Sequence, residues 1–405
     1  MPAFLFPGQG SQRPGMGRSW TRHPSWELVG DASDAAGRDL AHLLLDAGAE
    51  ELTETRNAQL ATFTLSLVVL DAVERLGIEP TVCAGHSLGE YTALVAAGAL
   101  GFEDGVHLVA ERGEAMQAAA DAEPGGMALI TGSDSETVEI ACALADGPVW
   151  LANDNSADEV VVAGGADALT RAGARAVELG ARSVAPVAVG GAFHTPFMGT
   201  ARHRLEKALR TVTFRDPDVA VISNVDARAH VVPGTWELLL LAQLTNPVRW
   251  RRSIVALGLS DRSTVAEQLF VELGPGRTLS RLTTQTLPGV TALAVSTPED
   301  LDSLVDAVAG NSSLHTFAAG HHGEHLYVSE RVVISPRAGV FAPVRAPGDG
   351  GEALGTDSAV EVGTLLGTVS GTEVRSPFAG VLMGMLAQPD ERVQTGQPIA
   401  WLQAR

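Results

Sequence analysis

Five consecutive residues, Gly85-His86-Ser87-Leu88-Gly89, constrain this chain more than any other stretch of it. They fit the pattern G-x-S-x-G, in which a serine sits on a sharp turn between a strand and a helix. The flanks agree: Thr81-Val82-Cys83-Ala84 is a short apolar run of strand type, and residues 90–97 read as a helix. Glycines flank the serine because the turn is tight and the neighbouring backbone comes close. Such a turn exposes the hydroxyl and aims the next backbone N–H at a developing oxyanion. Ser87 is therefore the candidate nucleophile. Alone, the turn admits an esterase, a lipase or a peptidase.

The 405 residues are too many for one ordinary core and predict two or three domains. With 45% hydrophobic and 19% charged residues the chain reads as a soluble globular protein. Its formal net charge of -20 argues against general nucleic-acid binding, which needs a basic footprint. Cys83 and Cys142 are the two cysteines, so no disulfide framework is expected and a reducing compartment is. The start, Met1-Pro2-Ala3-Phe4-Leu5-Phe6, lacks the basic residues and long apolar run of a signal peptide. No apolar run is long enough to cross a membrane. A cytoplasmic protein with neither membrane nor nucleic-acid partners is the expectation.

Residues 1–305 alternate short apolar strands with longer helical patterns, as in an α/β domain. A strand over 3–7 runs into a Gly-rich loop, Gly8-Gln9-Gly10-Ser11-Gln12. Apolar residues at helical spacing predict helices over 58–76 and over 106–119, the latter carrying Arg112. Residues 123–189 form a unit of their own. They read as strand 127–131, helix 135–145, strands 149–152 and 160–163, helix 167–179 and strand 183–189, a ferredoxin-like βαββαβ order. This unit interrupts a larger domain made of residues 1–122 and 190–305. Residues 306–327 are rich in Gly, Ser and His and read as a linker. His315, His321, His322 and His325 cluster there without a cysteine or carboxylate constellation, so a polar linker is expected and no metal site. Residues 328–405 contain an internal repeat. Ser335-Pro336-Arg337-Ala338-Gly339-Val340 is echoed by Ser376-Pro377-Phe378-Ala379-Gly380-Val381. Val360, Gly363, Leu366 and Val369 are echoed by Val393, Gly396, Ile399 and Leu402. Short β-branched runs between Gly/Pro turns predict an all-β unit of two similar halves.

A serine nucleophile needs a base, and His194, in Gly191-Ala192-Phe193-His194-Thr195-Pro196-Phe197-Met198, is the candidate. Further landmarks follow in order along the chain. They are Phe6-Pro7-Gly8-Gln9-Gly10-Ser11-Gln12, the Gln59 helix, Gly85-His86-Ser87-Leu88-Gly89-Glu90-Tyr91, Arg112-Gly113, Gly125-Gly126-Met127 and Asn153-Asp154-Asn155-Ser156. Ser223-Asn224-Val225, Gln243-Leu244-Thr245-Asn246-Pro247-Val248-Arg249-Trp250 and Glu272-Leu273-Gly274-Pro275-Gly276 complete the series. With these, residues 1–305 resemble the malonyl-CoA:acyl-carrier-protein transacylase family, which includes acyltransferase domains of polyketide synthases. The likeness is strongest to free-standing acyltransferases that serve polyketide assembly lines in trans. It implies an α/β-hydrolase-like core with an inserted ferredoxin-like subdomain.

The resemblance also implies roles. Ser87 attacks a malonyl thioester and His194 takes its proton. Backbone carbonyl near Gln243, rather than an Asp, orients His194. The N–H groups of Leu88 and Gln9 form the oxyanion hole. Arg112 grips the free malonyl carboxylate, with a further contact from His86. Phe193 crowds an α-methyl group. The acyl group then passes to the phosphopantetheine thiol of an acyl carrier protein. Malonyl-CoA and an acyl carrier protein are the partners this implies, in fatty-acid or polyketide biosynthesis. Two other readings compete: an acyl-thioester hydrolase, which is expected to lack the arginine, and a non-catalytic scaffold that recruits carrier proteins. A malonyl-loading subunit of a biotin-linked decarboxylase ranks lower, since no decarboxylase machinery accompanies it.

Residues 328–405 resemble a biotinyl/lipoyl-attachment domain, a flattened β-barrel of two pseudo-symmetric halves. The landmarks are residues 373–381 and Val393-Gln394-Thr395-Gly396-Gln397. In that family the attachment lysine stands in the hairpin between the halves. Here the hairpin is Val369-Ser370-Gly371-Thr372-Glu373, and the chain's single lysine is Lys207. The unit is therefore expected to carry neither biotin nor lipoate, and to serve in contact or stabilisation.

Overall fold

The computed structural model describes residues 2–260, 268–310, 330–344, 358–389, 391–394 and 397–404. They fall into two units, one of residues up to 70 and from 80 to 323, the other of 71–79 and from 324 onward. Among the described residues of the first unit ten strands follow one another along the chain. They are β1 (Ala3–Phe6), β2 (Val82–Gly85), β3 (Gly126–Thr131), β4 (Val149–Ser156), β5 (Glu159–Gly164), β6 (Ser183–Pro186), β7 (Ala220–Ile222), β8 (Ala229–His230), β9 (Leu269–Leu273) and β10 (Thr291–Val295).

Six of these make one sheet in the order β10-β9-β1-β2-β7-β8, parallel except for the β7–β8 pair. A parallel sheet must be covered on both faces, and the sequence supplies apolar residues at every position of β1 and β2. Leu5 and Ala84 pack into a cluster with Trp250, Ile254, Phe270 and Leu279 on one face. Phe4, Phe6 and Cys83, which alternate with them, are fully buried too. Cys83 and Cys142 are both buried and neither forms a disulfide. In the register of β1 and β2, Phe6 lies opposite Gly85. The Gly-rich loop after β1 and the serine turn after β2 therefore leave the same edge side by side. Ligands of such sheets bind there, outside the carboxyl ends of the strands.

The inserted region follows its predicted order. Strands β3 to β6 form an antiparallel sheet, β4-β5-β3-β6, with helices Ser135–Leu144 and Ala166–Glu178 between them in sequence. One strand is longer than its apolar pattern: β4 continues through Asn153-Asp154-Asn155 to Ser156. The reason is tertiary. Asp154 N–H donates to Val248 O and Val248 N–H to Ala152 O, both at 2.9 Å, so a distant segment satisfies the polar stretch as an added strand would. Strand β6 ends at Pro186, three residues before the expected limit. At the far end of the first unit, helix Asp300–Gly310 occupies the opening residues of the stretch read as a linker. The rest of that stretch, with the four-histidine cluster, lies outside the described residues.

The described strands of the second unit all pair antiparallel. Strands Glu330–Ile334, Gly339–Pro343, Ala359–Val360, Leu365–Val369, Thr372–Arg375, Gly380–Met385, Arg392–Val393 and Pro398–Ala404 pair in two four-stranded sheets among the described residues. The sequence repeat is a structural repeat. Ser335 donates from Oγ to Arg337 O, and Ser376 from Oγ to Phe378 O, each at 2.7 Å. Val360 and Val393, Leu366 and Ile399, and Val369 and Leu402 all point into one core. Between the strands Leu365–Val369 and Thr372–Arg375 the turn has two residues, Ser370 and Gly371, with φ of 47° and 83°. Positive φ at both central positions is the type I′ turn of a tight hairpin.

Candidate active site

Ser87 stands two residues beyond β2 and two before helix Gly89–Ala96. Its φ is 53°, in the left-handed region that a serine adopts only under constraint. Glycines supply the constraint. A Cβ on Gly85 would lie 1.9 Å from the carbonyl carbon of Gly89, and one on Gly89 would lie 2.0 Å from Phe6 O. Strand and helix can meet this closely only where both side chains are absent. A further clamp comes from Asn224, which accepts Ser87 N–H on Oδ1 at 2.7 Å and donates Nδ2 to Gly85 O at 2.6 Å.

His194 reaches Ser87 across 107 residues of sequence, with Nε2 2.7 Å from Ser87 Oγ. Its φ, 60°, is also left-handed, so Ser87 and His194 are both held in strained backbone. The other ring nitrogen, Nδ1, is 2.8 Å from the backbone oxygen of Gln243. A carbonyl only accepts, so Nδ1 carries the proton and Nε2 offers its lone pair to the serine hydroxyl. Burial, then the nearby Arg112 charge, push the imidazole down to about 3. It is neutral at neutral pH and free to accept the Ser87 proton.

Arg112 lies on helix Phe102–Ala122 and is 1% exposed. Its Nη1 donates to Gln59 Oε1 at 2.7 Å; its Nη2 donates to Gln243 Oε1 at 2.9 Å and to Ser87 Oγ at 3.2 Å. The guanidinium lies 5.4 Å from the centre of the Tyr91 ring. Nε is buried without an acceptor. Burial works against this charge, and the Tyr91 and Glu90 side chains favour it. Every hydrogen-bond acceptor around the guanidinium is a neutral oxygen. A buried cation in that state, touching the nucleophile and with a spare N–H, is complementary to a carboxylate at the far end of a short acyl group.

The N–H groups of Gln9 and Leu88 are on the two loops that leave the sheet together. Neither is spent on a protein acceptor among the described residues. Phe193 is buried directly before the base. His86 Nε2 is 3.0 Å from Asn155 Oδ1, and the ring packs edge-on to Trp250. This contact joins the serine turn to β4. Among the described residues no group of His, Cys, Asp and Glu could hold a metal.

Three members of this network, Gln59, Asn224 and Glu90, have no local sequence signal that gives them a part in the site. Their partners are 53, 137 and 153 residues away, and only the fold brings them together.

The comparisons agree with this geometry. Residues 3–321 match the family described as acyl transferase domain. The malonyl CoA-acyl carrier protein transacylase of Bacillus subtilis is 40% identical over 311 residues, 76% of this chain and 96% of that protein. The crystal structure of an acyl carrier protein S-malonyltransferase from Vibrio cholerae superposes with a TM-score of 0.69 at 36% identity, over 75% of this chain and 99% of that one. A malonyl-transacylase solved with a type II polyketide synthase acyl-carrier protein gives 0.69 at 34%, over 76% and 99%. A serine–histidine pair oriented by a carbonyl, a buried arginine at the nucleophile and this degree of likeness have one reading: the chain belongs to the malonyl-CoA:acyl-carrier-protein transacylase family.

Proposed function

We propose that the protein moves a malonyl group from CoA to the phosphopantetheine thiol of an acyl carrier protein, with Ser87 as the covalent station. The observation that carries this is Arg112 Nη2 at 3.2 Å from Ser87 Oγ, in a site where the base is also in place. In the first half-reaction Ser87 Oγ attacks the thioester carbon while its proton passes to His194 Nε2. The oxyanion forms against the Leu88 and Gln9 N–H groups. On its collapse the C–S bond breaks and the His194 proton leaves with the CoA thiol. In the second half-reaction the carrier's thiol gives its proton to His194 and attacks the seryl ester, and Ser87 recovers its proton. Arg112 holds the malonyl carboxylate through both halves, which favours a dicarboxylic donor over the simple acyl groups a hydrolase would clear. Phe193 narrows the space beside the α-carbon. One methyl is worth about 1–3 kcal/mol in such a pocket, so methylmalonyl is disfavoured rather than excluded.

The second unit is read as a biotinyl/lipoyl-type barrel that carries no cofactor. Its internal repeat supports the likeness, and its two-residue turn at Ser370-Gly371 offers no lysine for attachment. No described helix is long and apolar enough to cross a membrane. Together with the acidic charge and the absence of disulfides this supports a cytoplasmic enzyme whose partners are malonyl-CoA and a carrier protein rather than nucleic acid. Incubation with malonyl-CoA, followed by intact mass and then by addition of a carrier bearing phosphopantetheine, tests the central reading. A malonyl increment that moves to the carrier is expected. An increment that never forms, or that appears only as free malonate, overturns it.

A further inference from the structure

Glu90 is the second residue of the helix that follows Ser87, and a glutamate in a first helical turn ordinarily faces solvent and complements the helix dipole. This one is fully buried. Both of its oxygens are engaged by groups far away in sequence. Oε1 accepts the backbone N–H of Asn224 at 2.8 Å, and Oε2 accepts Nε2 of Gln243. No described arginine or lysine pairs with it directly. A buried, ionised carboxylate held only by neutral donors, the Ser223 side chain among them, is costly, and burial raises its pKa to about 7.

The two residues Glu90 grips are the ones that shape the site. Asn224 receives Ser87 N–H on its side chain. Gln243 is more heavily committed. Its backbone oxygen orients His194, its Nε2 donates to Ser87 O at 2.8 Å, and its Oε1 receives Arg112 Nη2. A primary amide has an acceptor end and a donor end. Gln243 works only in one orientation, with the donor end toward Glu90 and the acceptor end toward the guanidinium. We propose that Glu90 is a positioning residue for acyl-group selection. By accepting from both Gln243 and Asn224 it fixes the Gln243 amide in the orientation that aims Arg112 at the substrate's carboxylate. This rests on the malonyl-transfer reading above.

The isosteric change Glu90→Gln isolates the effect. A glutamine keeps the shape but has only one acceptor oxygen. The backbone N–H of Asn224 is fixed and claims it, so the new NH2 group faces the NH2 group of Gln243. Rotation of the Gln243 amide relieves that clash, and then sets a donor against Arg112. The arginine loses an anchor and Ser87 O loses the Gln243 Nε2 donor, while Asn224 still holds the serine turn and the Gln243 backbone carbonyl, which does not rotate, still orients His194.

The full-length protein and the variant are each incubated with malonyl-CoA and with acetyl-CoA, and the rate of acyl-enzyme formation is read by intact mass. In Glu90→Gln the malonyl:acetyl rate ratio should fall roughly tenfold, the effect of one lost charge-assisted contact. The rate of inactivation by phenylmethylsulfonyl fluoride, a neutral serine reagent, should stay within about threefold of the parent. A residue that merely supported the fold would lower both acyl rates and the inactivation rate together and leave the ratio alone. An unchanged or raised ratio therefore overturns the proposal. Should Glu90→Gln fail to fold, Glu90→Asp keeps an acceptor-only head one methylene short of Gln243. The ratio should fall in it too, and an unaltered ratio there is equally fatal. If the parent itself forms no malonyl adduct, the malonyl-transfer reading fails first. A parent that loads malonate beside a Glu90→Gln variant of the same selectivity refutes this inference alone.

Discussion

The Nδ1 atom of His194 lies 2.8 Å from the backbone oxygen of Gln243, so a peptide carbonyl occupies the place that a carboxylate fills in many serine enzymes. The carbonyl fixes the tautomer as an Asp would, but contributes a dipole instead of a full charge. Nothing nearby stabilises the imidazolium strongly, and Arg112 opposes it. The pair is built to keep the base neutral while it waits for substrate.

That neutrality has a kinetic signature. With His194 pushed down to about 3, the fraction of competent base does not change between pH 5 and 8. Inactivation of the parent by phenylmethylsulfonyl fluoride should have a flat profile over that range. An acid limb centred near 6.5, the ordinary value for a histidine, would show that the imidazole is solvated. Ser87→Ala should form no malonyl adduct at any pH. His194→Ala should slow adduct formation by about 10²–10⁴-fold, the usual contribution of a positioned base.

Arg112 separates recognition from chemistry. Arg112→Ala removes the cation and leaves Ser87 and His194 in contact. A charge-assisted hydrogen bond to a substrate carboxylate contributes about 1.5–3 kcal/mol, so malonyl loading should drop by roughly 10–100-fold. Acetyl loading has no carboxylate to lose and should change far less, so the preference narrows or reverses. Equal losses for both donors would mean that Arg112 holds the serine rather than the substrate.

How much of this was legible in the sequence depended on range. The serine turn is local: an apolar strand, two glycines and a helix within a dozen residues specify it, and the structure has it. The βαββαβ order was legible for the same reason, since strand and helix periods switch cleanly between residues 126 and 186. The extension of β4 through Asn153-Asp154-Asn155 was not, because polar residues there are satisfied by Val248, which lies far off in sequence. Nor could spacing show that Glu90, Asn224 and Gln243 converge behind Ser87. Each looks like an ordinary polar residue until the parallel sheet sets the ends of its strands together. His86 shows the same limit: its contact with Asn155 joins residues 69 apart, and nothing in the local pattern marks it.

The serine turn should be intolerant of even one methyl group. Gly89→Ala would place a Cβ 2.0 Å from Phe6 O, a backbone atom of the central strand that cannot rotate away. Relief requires the helix to move off the sheet, at a cost of about 3 kcal/mol or more. The variant should unfold at a markedly lower temperature and lose serine labelling. By contrast Gly30→Ala, in helix Glu27–Ala36, meets no atom within 4 Å and should leave both unchanged or raise stability slightly. Equal behaviour of the two would contradict the close approach at the turn.

His194 and Glu90 also pull stability in opposite directions with pH. The imidazole, at about 3 against an ordinary 6.5, binds fewer protons folded than unfolded across that interval, so its contribution rises with pH. The carboxylate, at about 7 against 4.5, binds more protons folded, so its contribution falls as pH rises through that interval. From about 4.5 to 6.5 the two slopes offset one another. His194→Ala removes one and exposes the other. Relative to the parent, the variant should therefore be more favoured at pH 5 than at pH 7, by about 2 kcal/mol at most, since each pKa unit is worth about 1.4 kcal/mol. Thermal unfolding of both proteins at the two pH values measures the difference. A gap between variant and parent that is the same at pH 5 and pH 7 would show that the folded site does not suppress protonation of His194.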